Sequence, residues 1–139
     1  MNRVIKLLLV EDDSVDAIDL QRTLDRMGII YRIKIARNGE EAVRLLEGNE
    51  HQIYSGNPDI VLLDLNMPRM NGLECLERIR SRKEWKDIKV FVLTTSDEVE
   101  DKAAARRLGI AGYIIKPLKT SNSGSMDAFN LMIDLMNMH

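Results

Sequence analysis

Four short apolar runs in this sequence each end in polar residues that can take part in chemistry. The run LLLV is followed by Glu11 and Asp12, IVLL by Asp64, VFVL by Thr94 and YII by Lys116. Open α/β sheets place their sites in the crevice beyond the carboxyl ends of their strands. If the four runs are adjacent parallel strands, these side chains therefore meet at one edge of one sheet.

The apolar runs alternate with amphipathic stretches, a pattern typical of a parallel sheet wrapped by helices. The pattern predicts strands at residues 5–10, 31–36, 59–64, 89–94 and 113–115. It predicts helices that end at Gly28, follow Asn38-Gly39, run from Gly72 to about Arg82, end at Gly109, and extend over 126–138. The first run is apolar throughout and suits a central strand, whereas the second alternates and suits a more exposed one. We expect an α/β fold with a doubly wound sheet of five strands and five helices.

Length and composition limit the possible classes of function. A chain of 139 residues has the size of one domain, so we expect a single domain over 1–139 with no output domain. Basic and acidic residues number 20 and 22, which gives no general electrostatic case for binding nucleic acid. No apolar run approaches the roughly 20 residues of a membrane span. We therefore expect a cytoplasmic protein that binds neither nucleic acid nor membranes. The one cysteine, Cys75, lies in a helical pattern, and we expect it to be buried there.

The strand-end residues supply the groups that phosphoryl chemistry needs. A carboxylate such as Asp64 can attack phosphorus and form an acyl phosphate. Glu11 and Asp12 would bring two more acids to the same crevice, and a cation such as Mg²⁺ relieves the repulsion among them. Thr94 and Lys116 offer a hydroxyl and an ammonium group to phosphoryl oxygens. The sequence thus predicts a metal-assisted phosphoryl site.

The motifs VEDD, LLDLNMPRMNG, LTTS and GYIIKP follow one another at these strand ends in this order. With that order the chain resembles, over nearly its whole length, the receiver domain of two-component response regulators. The resemblance implies a flavodoxin-like sheet in the strand order 2-1-3-4-5. It also implies a stand-alone response regulator that receives a phosphoryl group from a histidine kinase or a histidine phosphotransfer protein. Such a protein signals through contacts with a protein target and is not a turnover enzyme.

The resemblance assigns roles to the acidic residues and their neighbours. Asp64 is implied as the phosphoacceptor. Asp12 and Asp64 are implied as direct Mg²⁺ ligands, together with the backbone carbonyl of Asn66, and Glu11 as a ligand through water. Asp13 neighbours this set, but we expect it to cap the first helix.

The resemblance also implies a switch beside the acids. Lys116 would bind one phosphoryl oxygen, and Thr94 would move to hydrogen-bond another while the ring of Tyr113 turns inward. The peptide bond between Lys116 and Pro117 is implied to be cis. The face made by the fourth helix, the fifth strand and the last helix is implied to mediate homodimerisation or partner docking, and the last helix carries apolar residues on both sides.

Two other functions are consistent with parts of the pattern. A haloacid dehalogenase-type phosphotransferase also uses an aspartate at a strand end, but it has a second aspartate two positions later, where this chain has Asn66. A phosphorylation-independent scaffold with the receiver fold would be expected to have lost one of the acids, the threonine or the lysine. The loops at 48–58 and 119–125 resemble those of single-domain regulators that pair with phytochrome-type kinases.

Overall fold

Five parallel strands form one sheet in the computed structural model of the chain, which describes residues 4–48, 56–65, 67, 71–94 and 99–115. The strands are β1 (Ile5–Val10), β2 (Tyr31–Ala36), β3 (Ile60–Asp64), β4 (Lys89–Thr94) and β5 (Gly112–Ile115). Their order is β2-β1-β3-β4-β5. The predicted parallel α/β fold and its strand order are confirmed.

The described helices are α1 (Ser14–Arg26), α2 (Gly39–Leu46), α3 (Gly72–Ser81) and α4 (Val99–Leu108), with a short 3-10 helix at Lys83–Trp85. The sequence predicted each α-helix close to these bounds but not the 3-10 helix. The predicted fifth helix, at 126–138, lies outside the described residues. Within the described ranges, no helix combines the length and the apolar character needed to cross a bilayer.

Side chains that alternate along the strands fill two cores, one on each face of the sheet. Leu7, Leu9 and Leu62 pack with buried leucines of α1 on one face. Leu8 and Leu63 pack on the other face with α2, α3 and α4. Every residue of β3 is buried, whereas the edge strand β2 has a mixture of buried, half-buried and exposed positions. Packing on both faces thus fixes the positions of the central strands and of their ends.

Short polar residues cap three of the helices. The carboxylate of Asp13 accepts hydrogen bonds from the backbone N–H groups of Val15 and Asp16 at 2.8 and 3.1 Å, which confirms the capping role predicted for it. Asn38 and Asn71 accept from backbone N–H groups in the first turns of α2 and α3. All three caps satisfy backbone donors that the helix itself leaves unbonded.

The 3-10 helix carries a buried tryptophan, Trp85, at the end of the sheet where β4 begins. The Arg82 guanidinium lies over its ring, 4.4 Å from the centroid, and forms an ion pair with Glu47 at the end of α2. Arg82 therefore links the C-terminal ends of α2 and α3 to the ring of Trp85.

Cys75 is fully buried in α3, as predicted. Burial raises the pKa of its thiol from an ordinary value of 9.0 to about 12, and the nearby Arg78 guanidinium opposes this to a smaller extent. The thiol is therefore uncharged in the folded protein at neutral and moderately alkaline pH.

We expect the free energy of unfolding to fall more steeply with pH in the wild type than in Cys75→Ala, between about pH 9 and about pH 12. Because the folded pKa lies above that of the unfolded chain, the stabilising contribution is complete below the unfolded value and is lost as the pH rises toward the folded value. The two slopes should differ by about 1.4 kcal/mol per pH unit in this window. Urea unfolding at stepped pH measures the difference, and parallel profiles would contradict a shielded thiol.

Candidate functional site

Three carboxylates meet where β1 and β3 end. The two strands are adjacent and pair in register, with Val10 opposite Leu63. Glu11 and Asp12 follow the last residue of β1, and Asp64 is the last residue of β3. One carboxylate oxygen from each of the three lies within 4.8 Å of the others. The sheet thus brings together the acids that the sequence predicted as metal ligands.

The acids differ in exposure, and neighbouring backbone groups hold Glu11 in place. Glu11 and Asp64 are only 3% and 1% exposed, whereas Asp12 is exposed. The Glu11 N–H donates to the Ala36 carbonyl at 2.9 Å, and its Oε2 accepts from the Asp13 N–H at 3.3 Å. Burying two carboxylates beside a third has an unfavourable charge energy that a cation would remove.

The spacing of these oxygens fits a small divalent cation. Oxygens that share one Mg²⁺ lie at most about 4.2 Å apart, twice the length of a metal–oxygen bond. The three carboxylate oxygens all lie within 4.8 Å of one another, which is close to this limit. Carboxylate oxygens are also the ligands that Mg²⁺ prefers.

Thr94 lies at the same edge, on the strand next to β3. Leu93 is the register partner of Asp64, and Thr94 follows it as the last residue of β4. The Leu65 N–H donates to the Leu93 carbonyl at 3.2 Å, which continues the pairing past the end of β3. The buried Thr94 is therefore a near neighbour of Asp64 in the sheet.

Tyr113 lies on β5, opposite Val92 of β4, and packs partly buried against the core that contains α4. Three further predicted site residues, Asn66, Lys116 and Pro117, lie outside the described residues. The structure thus positions Glu11, Asp12, Asp64, Thr94 and Tyr113 and leaves the roles of the other three as predictions.

A cleft of about 590 Å³ opens beside the acids, between α1 and the end of β2. It is lined by Glu11 and Asp12, by one face of α1 that includes Ile18, and by Ile35 and Arg37 at the end of β2. The cleft thus reaches Glu11 and Asp12, whereas Asp64 is not among the residues that line it.

Gly72 is a residue of the site that the sequence did not reveal. A Cβ atom at this position would lie 2.4 Å from the Asp64 carbonyl oxygen and 2.5 Å from the Leu65 Cα. The Gly72 N–H also donates to the Leu65 carbonyl at 3.3 Å. The first turn of α3 therefore packs directly on the backbone that carries Asp64. The sequence predicted a helix that begins at Gly72, but not this contact.

Comparison with known proteins places this arrangement in a family. The model of the response regulator receiver domain matches residues 7–123. A curated relative, the probable methanogenesis regulatory protein FilR2 of Methanothrix harundinacea, is 37% identical over 115 residues, which are 81% of this chain and 72% of that protein. The chain spans only 44% of the length of several further curated relatives, the MprA response regulators of mycobacteria.

The solved structures that resemble this chain are also response regulators. The bacteriophytochrome response regulator RtBRR is 32% identical, with a TM-score of 0.79 over 94% of this chain and 78% of that one. The Mn²⁺-bound form of response regulator Rcp1 is also 32% identical, with a TM-score of 0.77 over 90% of each chain. Rcp1 comes from the cyanobacterium Synechocystis.

We expect Gly72→Ala to lower the free energy of unfolding by about 1–3 kcal/mol, because the added methyl group meets backbone atoms that cannot turn aside. Gly112→Ala is the matched control, since its Cβ would approach only the Phe91 ring, at 3.2 Å. A ring can shift by a few tenths of an ångström, so this variant should lose less stability. Urea unfolding compares the two, and equal losses would contradict the close packing of α3 on β3.

We expect Asp12→Asn to weaken Mg²⁺ binding by at least about tenfold, because it removes a charged member of the cluster. Asp13→Asn is the matched control: it removes an adjacent charge, but asparagine caps a helix as well as aspartate does. Isothermal titration calorimetry measures both affinities. If the two variants weaken binding equally, Asp12 contributes only its long-range charge.

Proposed function

The chain belongs to the response regulator receiver family of two-component signalling proteins, and on that premise we propose that Asp64 is its phosphoacceptor. The observation that carries the proposal is the meeting of three carboxylates within 4.8 Å at the ends of β1 and β3, with Thr94 on the next strand. Asp64 is the member of the cluster that lies at the end of the fully buried central strand.

We propose Mg²⁺ as the metal of this site, with Asp12 and Asp64 as direct ligands and Glu11 acting through water. The spacing and chemistry of the carboxylates support a small, hard divalent cation. The Mn²⁺ named for the similar structure of Rcp1 is of the same class. When bound, the cation would stabilise negative charge on the phosphoryl oxygens. The backbone carbonyl of Asn66 is proposed as a further ligand.

In the proposed transfer, a carboxylate oxygen of Asp64 attacks the phosphorus of a phosphohistidine. The new oxygen–phosphorus bond forms as the phosphorus–nitrogen bond breaks, and the electron pair of that bond remains on the imidazole of the donor. Burial of Asp64 restricts its carboxylate to few orientations, which favours attack from one direction. Water attacking the same phosphorus later restores the carboxylate. The chain would thus catalyse its own phosphorylation and dephosphorylation without being a turnover enzyme.

The remaining site residues act on the phosphoryl oxygens and on the output. Thr94 lies beside Asp64, where its hydroxyl could donate a hydrogen bond to one oxygen. We propose that Lys116 binds another, with a cis bond before Pro117. We also propose that Tyr113, on the α4 side of the sheet, changes its ring position as Thr94 engages the phosphoryl group.

We propose that the partners are a histidine kinase or a histidine phosphotransfer protein as donor, and a protein target that recognises the α4–β5 side together with the last helix. The same side could form a homodimer. We further propose that residues 1–139 act as a single domain in the cytoplasm and bind neither nucleic acid nor membranes. The likeness to RtBRR, a bacteriophytochrome response regulator, supports a donor of the phytochrome type.

We expect acetyl phosphate with Mg²⁺ to place a phosphoryl group on the wild type and not on Asp64→Asn, because an amide is not a nucleophile toward phosphorus. Asp59→Asn is the matched control, since Asp59 precedes the same strand at its other end and accepts a hydrogen bond from the Lys6 N–H that asparagine can also accept. Intact-protein mass spectrometry detects the adduct, and a chelator should abolish it. Undiminished labelling of Asp64→Asn would refute the assignment.

A further inference from the structure

The guanidinium of Arg106 covers the ring of Tyr113. Arg106 belongs to the last turn of α4, and its Cζ lies 5.6 Å from the ring centroid. The arginine is exposed and the ring is partly buried. A guanidinium in this position is attracted to the face of an aromatic ring. The contact therefore favours the ring position in which Tyr113 faces α4.

Tyr113 and Thr94 share one face of the sheet. The register partner of Tyr113 is Val92, and Thr94 lies two residues beyond Val92 on the same strand. Because residues two apart on a strand point to the same side, the Tyr113 ring and the Thr94 side chain are diagonal neighbours under α4. A change in the position of Thr94 would therefore alter the space available to the ring.

The end of α4 is held in place independently of Arg106. The Arg80 Nε donates to the carbonyl of Gly109, directly after α4, at 3.0 Å. Its Nη1 donates to the Lys86 carbonyl at 3.2 Å. Arg80 thus ties this end of α4 to α3 and to the turn before β4. Removing the Arg106 side chain should change the environment of the ring without releasing the helix.

We propose that Arg106 is a positioning residue for Tyr113, which holds the ring against α4 and so lowers the affinity of the Asp64 site for a phosphoryl group. The inference rests on the proposed function, in which Thr94 and Tyr113 change position together. A contact that favours one of two states lowers the affinity of any ligand that selects the other. The strength of an exposed cation–π pair corresponds to a change in affinity of about two- to fivefold.

Arg106→Ala tests the proposal, with Arg107→Ala as the matched control. Arg107 is also exposed and carries the same charge, but it projects about 100° further around the helix. The first measurement is the NMR shift of the Tyr113 ring protons in protein without metal. The second is the affinity for beryllofluoride, a phosphoryl mimic, in the presence of Mg²⁺. Urea unfolding of each variant verifies that it remains folded.

We expect Arg106→Ala to shift the ring resonances and to bind beryllofluoride about two- to fivefold more tightly. Arg107→Ala should leave the ring resonances in place and bind the anion equally or more weakly, because loss of a positive charge alone disfavours an anion. In a Tyr113→Leu background, Arg106→Ala should no longer tighten binding, since the ring it acts through is absent.

Unchanged ring resonances in Arg106→Ala would overturn the contact itself. Shifted resonances with unchanged affinity, or equal tightening in Arg107→Ala or in the Tyr113→Leu background, would overturn the regulatory role while leaving the proposed function intact. If the wild type shows no beryllofluoride binding that depends on Asp64, the proposed function fails and the regulatory role of Arg106 fails with it.

Discussion

The in-register pairing of β1, β3 and β4 is the constraint on which the rest of the structure depends. Every residue of β3 is buried, with side chains in both cores, so a slip of one residue would move each side chain to the wrong face. Hydrophobic packing therefore fixes where the strand ends. Asp64 is the last residue of β3, and the Glu11–Asp12 pair follows β1 directly. The same packing therefore fixes the positions of the residues that carry the three carboxylates.

Hydrophobic packing creates the acidic cluster, but the burial of its carboxylates is electrostatically unfavourable. Two of its three carboxylates are buried, a placement that the hydrophobic cores alone would not favour. Backbone hydrogen bonds to Glu11 and the close contact of Gly72 with the backbone of Asp64 hold the cluster together. Three carboxylates at one place favour a cation over a further anion, so a bound metal would offset the charge that opposes the approach of a phosphoryl group.

The sequence alone determined the fold class, the strand order through its likeness to receivers, and the strand bounds to within a residue. This was possible because an unbroken apolar run such as 60–63 is compatible with few environments, and a polar residue that ends it marks the sheet edge. The capping role of Asp13 could also be predicted, since the signal is local. The Asn71 cap has an equally local signal, a glutamate three residues later.

Tertiary structure decided the contacts that join one element to another. The approach of Gly72 to Asp64, the stacking of Arg106 on Tyr113 and the Arg82 link between Glu47 and Trp85 join residues from different elements. Each depends on how helices lie on the sheet, which local periodicity does not specify. The sequence by itself placed the acids and Thr94 at strand ends, because the point where an apolar run stops is a local feature. Only the packed structure decided which residues support them, because packing depends on the whole fold.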